Sequence, residues 1–140
     1  MREKLTVTRT LASPPQAVWQ VISAGTRVER WFEWVAETVL KDAAEGGLRI
    51  IRMKDGTSFD EYITLNDART WTYQYYAADP PLPVKHVLGT QRIEATASRA
   101  VLSWSVTFDR TAGAPADIVE TLRDLYAGAL ARIDELGSQH

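Results

Sequence analysis

The stretch Ala116 to Leu136 constrains the fold most, because it reads as one amphipathic helix too apolar to stand alone. Ile118, Val119, Leu122, Leu125, Tyr126, Ala129, Leu130, Ile133 and Leu136 recur at spacings of three and four that place them on one broad face. Glu120, Arg123, Asp124, Arg132, Asp134 and Glu135 take the opposite face. Pro115 suits a first-turn position, Asp117 with Glu120 beyond it suits an N-terminal cap, and Gly137 suits the αL residue that ends a helix. A helix of about twenty residues is roughly 30 Å long, the width of a small domain. Something comparable must cover its apolar face, and the rest of the chain supplies mostly strands.

Leu5 to Leu11 alternates apolar residues with threonine, as a half-buried strand does, with Arg9 at its end reaching solvent. Ser13 as cap, Pro14 at the first helical position and Gln16 beyond them start a short helix running to Ser23, with Ala17, Val18, Val21 and Ile22 on its buried side. A second short helix is expected over Thr26 to Trp34, ending in Trp31, Phe32 and Trp34, a cluster that reads first as a packing plug. Six strands follow: Val35 to Leu40, Leu48 to Met53, Thr57 to Leu65, Thr70 to Ala77, Val87 to Ala97 and Val101 to Phe108. Turn residues separate them, and connections this short make neighbours antiparallel. The fold class is therefore α+β: a curved seven-stranded antiparallel sheet wrapped around the long C-terminal helix, with two short helices after the first strand, in a single domain spanning the 140 residues.

Composition excludes several functions. Net charge is −2 with scattered Lys and Arg, which predicts no nucleic-acid partner and no membrane partner. The N-terminus has no apolar run, and a cytoplasmic location is expected. Cysteine is absent and the only histidines are His86 and His140, so thiolate catalysis, a metal site and a cofactor are not expected. No Ser/His/Asp constellation is visible, and Gly46-Gly47 lacks the lysine and helix of a phosphate-binding loop.

The pieces Ser13-Pro14-Pro15-Gln16-Ala17-Val18-Trp19, Gly47-Leu48-Arg49, Asp55-Gly56 with Glu61, Pro81-Leu82-Pro83-Val84, Gly89-Thr90 and Trp104-Ser105-Val106-Thr107-Phe108 follow one another in a telling order. In that order and spacing the chain resembles the polyketide cyclase/dehydratase branch of the START-like (SRPBCC) superfamily, whose helix-grip fold is shared with the birch-pollen allergen. The resemblance covers nearly the whole chain. It implies an apolar cavity for a small hydrophobic or aromatic molecule; separately, a monomer or homodimer is expected. Superfamily activities range from polyketide cyclisation and dehydration to lipid carriage, so fold alone does not fix the reaction.

Residues that break the alternation nominate a site. Phe59, Ile63 and Leu65 share a phase with Glu61, and an inward carboxylate needs a partner. A three-residue loop Lys54-Asp55-Gly56 with Gly56 in αL pairs Met53 with Thr57, Ile51 with Phe59 and Arg49 with Glu61. A two-residue Asp55-Gly56 turn sets Ile50 against Glu61 instead; the first register is preferred because it leaves one apolar face with one compensated charge pair. Arg49 and Glu61 then form either a structural salt bridge or a catalytic pair, Arg49 orienting a substrate oxygen and Glu61 moving a proton, with Tyr73 as the third catalytic candidate. Phase adds Trp71, Tyr75, Gln91, Trp104, Tyr126 and Phe59 as ligand-binding candidates. His86 closes the proline-rich loop Ala78 to His86, a plausible cavity rim.

Overall fold

Threonine alternation produces β1 (Arg2–Thr10), which buries Leu5 and Val7. The chain then turns into helix α1 (Pro15–Ser23), with proline at its first turn and Val18, Trp19 and Ile22 inward. The expected second helix contracts to one 3-10 turn, Val28–Arg30. Six strands follow: β2 (Val35–Leu40), β3 (Leu48–Met53), β4 (Ser58–Asp67), β5 (Thr72–Ala77), β6 (Val84–Ala95) and β7 (Ala100–Arg110). Helix α2 (Ile118–Gly137) closes the chain. The computed structural model describes residues 2–139, and Met1 and His140 lie outside the described residues. Among the described residues no helix is long and apolar enough to cross a membrane.

The seven strands form one antiparallel sheet in the order β1-β7-β6-β5-β4-β3-β2. Sequential hairpins run from β2 to β7, and β1 returns to pair with β7, as a helix-grip sheet requires. Leu102, Trp104, Val106 and Phe108 of β7 are all buried and share the inner face, as their alternation predicts. Helix α2 approaches β1, β7 and α1 most closely. Over the inner faces of β3, β4 and β5 stand Trp31 and Phe32 from the turn after α1 and Tyr126 from α2, and the cavity sits there.

Two expectations about α2 change. Gly137 is still helical, and its φ is not positive. A Cβ there would lie 2.7 Å from Val18 Cγ2 and 3.2 Å from Ser13 Cβ, so the glycine serves the close crossing of the two helices rather than a left-handed cap. Asp134, assigned by periodicity to the polar face, is 2 % exposed. It accepts from Arg9 Nε at 2.9 Å, from the Ala12 amide at 3.0 Å and from the Ser13 amide at 3.0 Å, while the Ser13 hydroxyl donates to its backbone carbonyl. Ser13 therefore caps nothing on α1 and instead fastens the β1–α1 corner to α2; Pro14 occupies the cap position. Arg9 reaches solvent only in part, because its guanidinium is held by Asp134.

Candidate functional site

The β3–β4 hairpin builds the polar centre. Gly56 has φ +91°, the Met53 amide donates to Thr57 at 2.7 Å, and Arg49 stands opposite Glu61, so the chain adopts the three-residue loop and its register. Arg49 and Glu61 are 2 % and 7 % exposed, and Arg49 Nε donates to Glu61 Oε1 at 2.6 Å. The guanidinium also donates from Nη1 to the Gly25 carbonyl at 3.4 Å and lies over the Tyr73 and Tyr75 rings at 5.2 and 5.3 Å. Burial works against the Arg49 charge, but Glu61, helped by both tyrosines, outweighs it and holds the guanidinium above its ordinary range. That is the arithmetic of a compensated buried pair.

Around this pair lie two small lobes of one hollow, each with about 40 Å³ of open volume. Phe32, Phe59, Glu61, Tyr75 and Leu82 line both. The first lobe reaches Arg49, Trp31 and Trp104; the second reaches Tyr126, Pro80 and Val87. Each has room for a few waters rather than a polycyclic molecule. The reason is aromatic filling: Trp104 stacks on Tyr126 with centroids 4.2 Å apart, and Trp31 and Phe32 meet Trp104 edge-on at 5.7 and 5.8 Å. Of the plug expected from Trp31, Phe32 and Trp34, the first two fill the hollow, while Trp34 stands outside it. Outside it, a vestibule of about 260 Å³ opens between Trp34, Lys54, Asp55 and Pro81, and Leu82 lines this vestibule as well as both lobes.

Three hydroxyls flank the pair. Tyr75 accepts from Trp104 Nε1 at 3.1 Å, and burial, reinforced by Tyr126 and Glu61, pushes its hydroxyl well above the usual range. Burial, then Glu61, does the same to Tyr126, and burial raises Tyr73. All three remain protonated donors at neutral pH. Tyr75 owes its place to Gly89, its partner across β5–β6: any Cβ at residue 89 would overlap the Tyr75 ring. Gly89→Ala is expected to cost about 1–3 kcal/mol by overpacking and to break the Trp104–Tyr75 hydrogen bond, readable as a changed tryptophan emission spectrum.

Of the residues nominated from sequence, Arg49, Glu61, Phe59, Tyr75, Trp104 and Tyr126 meet at the hollow, and the others lie elsewhere. Tyr73 is inward and fully buried but stands against Arg49, its hydroxyl beside Gly25 and without a hydrogen bond among the described residues. Gln91 is 1 % exposed opposite Tyr73 and Trp104, its amide Nε2 also without a hydrogen bond among the described residues, and it is not among the residues lining the hollow. Trp71 precedes β5 at φ 49°, which breaks the alternation that grouped it with Tyr73 and Tyr75. His86 points outward. A bulge between Lys85 and Leu88, with His86 at φ 53°, lets Val84 and Val87 both face inward, so the intervening residues face solvent, and His86 Nδ1 meets Asp109 at 3.0 Å. Among the described residues no three acidic or histidine side chains come together as a metal site requires. Phe32, Met53 and Leu82 are lining residues that phase analysis missed; the proline-rich rim pointed to the last.

A profile of the family described as polyketide cyclase/dehydrase and lipid transport matches residues 2–136. The chain belongs to that family. Membership in this cyclase/dehydrase and lipid-transport family implies binding of a hydrophobic ligand. A search among curated proteins finds no match. Solved structures share the fold at low identity. An uncharacterised protein from Bacillus thuringiensis superposes with a TM-score of 0.80 at 18 % identity, covering 95 % of this chain and 97 % of its own. The protein XoxI from Bacillus cereus gives 0.79 at 21 %, covering 94 % and 93 %. Ara h 8.0201 gives 0.78 at 17 %, with both chains fully covered at 100 %. These likenesses establish a helix-grip fold of the birch-pollen-allergen type for the family member described here.

Proposed function

We propose that this protein binds a small hydrophobic, aromatic molecule in the grip between β3, β4, β5 and α2, with Leu82 as the side chain that must move to admit it. The observation that carries this reading is the position of Leu82, common to both inner lobes and the outer vestibule, on a loop stiffened by Pro80, Pro81 and Pro83. Swinging one half-buried leucine outward joins the polar centre to the vestibule without disturbing the sheet. The closed hollow is small, so binding works by displacement of Leu82 and Phe32 rather than by filling a ready-made void.

The test is titration of the protein with fatty acids, flavonoids and aromatic polyketides, read by native mass spectrometry and tryptophan fluorescence. Trp31 and Trp104 line the hollow and Trp34 the vestibule, so an occupant is expected to quench or shift emission. Leu82→Ala is expected to raise the association rate roughly three- to tenfold, since a conformational step limits access. Silence across the panel in both proteins overturns the reading.

A catalytic version is favoured by one further feature. Glu61 Oε1 is held by Arg49, and among the described residues Glu61 makes no other side-chain hydrogen bond while lining both lobes. A carboxylate so placed can take a proton from bound substrate, with Tyr75 and Tyr126, rather than Tyr73, donating to the oxygen that gains charge. Such chemistry suits cyclisation or dehydration. Glu61→Gln is expected to lower turnover by about 10²-fold or more with ligand affinity kept within a few-fold; a non-catalytic carrier shows no turnover to lose.

A further inference from the structure

Resting on ligand binding in this hollow, we propose that the site selects neutral molecules bearing a hydroxyl or N–H donor on an apolar ring, and rejects anionic ligands such as carboxylates. The sign of the selection follows from how the buried charges are used. Arg49, the cation in the hollow, already gives Nε to Glu61 and Nη1 to the Gly25 carbonyl, and the Tyr73 and Tyr75 rings stand against it. Its charge is balanced before any ligand arrives. An anion leaving water would find no uncompensated cation here and would approach Glu61, a like charge, in surroundings of low polarity.

What the hollow does offer is an acceptor beside a donor. Glu61 belongs to both lobes, whereas Arg49 lines only the first, so a ligand in the second lobe meets the carboxylate without the guanidinium. Tyr126 lines that same lobe, and its hydroxyl makes no hydrogen bond among the described residues. A ligand hydroxyl lying between them donates to Glu61 and accepts from Tyr126, satisfying both groups at once. Once Leu82 and Phe32 are displaced, the walls of Phe59 and Tyr75 suit a flat ring. A ligand lacking the donor strips water from the Glu61 oxygen that Arg49 does not hold and leaves that oxygen without a hydrogen bond, which is the situation in which polar discrimination is largest.

The experiment is calorimetric titration at pH 7 with three probes sharing one ring system: 2-naphthol, which carries the donor and is neutral there; 2-methoxynaphthalene, which keeps the oxygen and loses the donor; and 2-naphthoate, an anion. Each is titrated into the wild type and into Leu82→Ala, so that a slow gate is not mistaken for absent affinity. The naphthol is expected to bind at least tenfold more tightly than either of the others. In the double variant Arg49→Met/Glu61→Leu, which replaces the pair by apolar side chains, its advantage over the methoxy probe is expected to fall below threefold. Binding of the naphthoate or the methoxy probe within threefold of the naphthol in the wild type overturns the selection and leaves the cavity reading standing. Retention of the full advantage in the double variant overturns the role given to Glu61. If none of the three binds either protein, the cavity reading itself falls and takes the selection with it.

Discussion

Glu61→Leu is expected to destabilise the protein by about 3–5 kcal/mol, because it strands the Arg49 guanidinium in the interior. Arg49 is 2 % exposed and Glu61 is the carboxylate to which it donates, at 2.6 Å. The double variant Arg49→Met/Glu61→Leu removes both charges with similar volume and is expected to recover most of that loss, since exchanging a whole buried pair for apolar groups is often neutral. Urea denaturation checks both: the midpoint should fall sharply in the single variant and return in the double one, with the slope unchanged. A single variant that loses less than about 1 kcal/mol would mean that water reaches Arg49 freely and that the pair is a surface-like one. The contrast also separates architecture from chemistry. If the double variant is stable yet inert toward ligand, the pair is kept for function rather than for folding.

Asp134→Ala should cost about 2–4 kcal/mol and lower the melting temperature by roughly 10 °C. The carboxylate receives two backbone amides and the Arg9 guanidinium, and its removal leaves the Ala12 and Ser13 N–H groups without acceptors at a buried corner. Burial opposes the charge of Asp134, but those amides and Arg9 prevail and hold its carboxyl below the usual range. The folded value is thus lower than the unfolded one of about 3.9, so the group contributes its full stabilisation above that pH and loses it as pH falls through the folded value. Thermal unfolding followed from pH 7 down to pH 2.5 should therefore show a fall in the wild type, beginning below about pH 4, that is shallower in the variant. Parallel curves for the two proteins would remove Asp134 from the acid response.

Much of the candidate site was legible because β-structure makes it so. Strand alternation has a period of two, and a hairpin loop fixes register, so one glycine at position 56 and the phase of Phe59 and Ile63 sufficed to set Arg49 against Glu61. The same rule failed wherever the backbone departs from the period. The left-handed residue Trp71 interrupts the phase that grouped it with Tyr73 and Tyr75, and the bulge at His86 leaves the rim histidine facing solvent; neither has a local signal such as glycine. Gly89 was visible as a residue but not as the seat of the Tyr75 ring, since β5 and β6 are joined by the long proline-rich loop rather than by a tight turn that fixes their register.

Sequence by itself determined the elements and their order: an amphipathic helix that demands a cover, strands joined by turns too short for anything but antiparallel pairing, and a charge pair fixed within one hairpin. All of these are local, set by residues near one another along the chain, where propensity, periodicity and turn chemistry act directly. Only the tertiary structure decided how full the grip is and which groups face what remains open. Trp31 and Phe32 from the turn after α1, Trp104 from β7, Tyr126 from α2 and Leu82 from the proline-rich loop meet there from distant parts of the chain. The burial of Asp134 has the same origin, because its partners lie more than 120 residues away on the β1–α1 corner. Periodicity records which way a side chain points along its own element; what stands opposite is set by how distant elements pack.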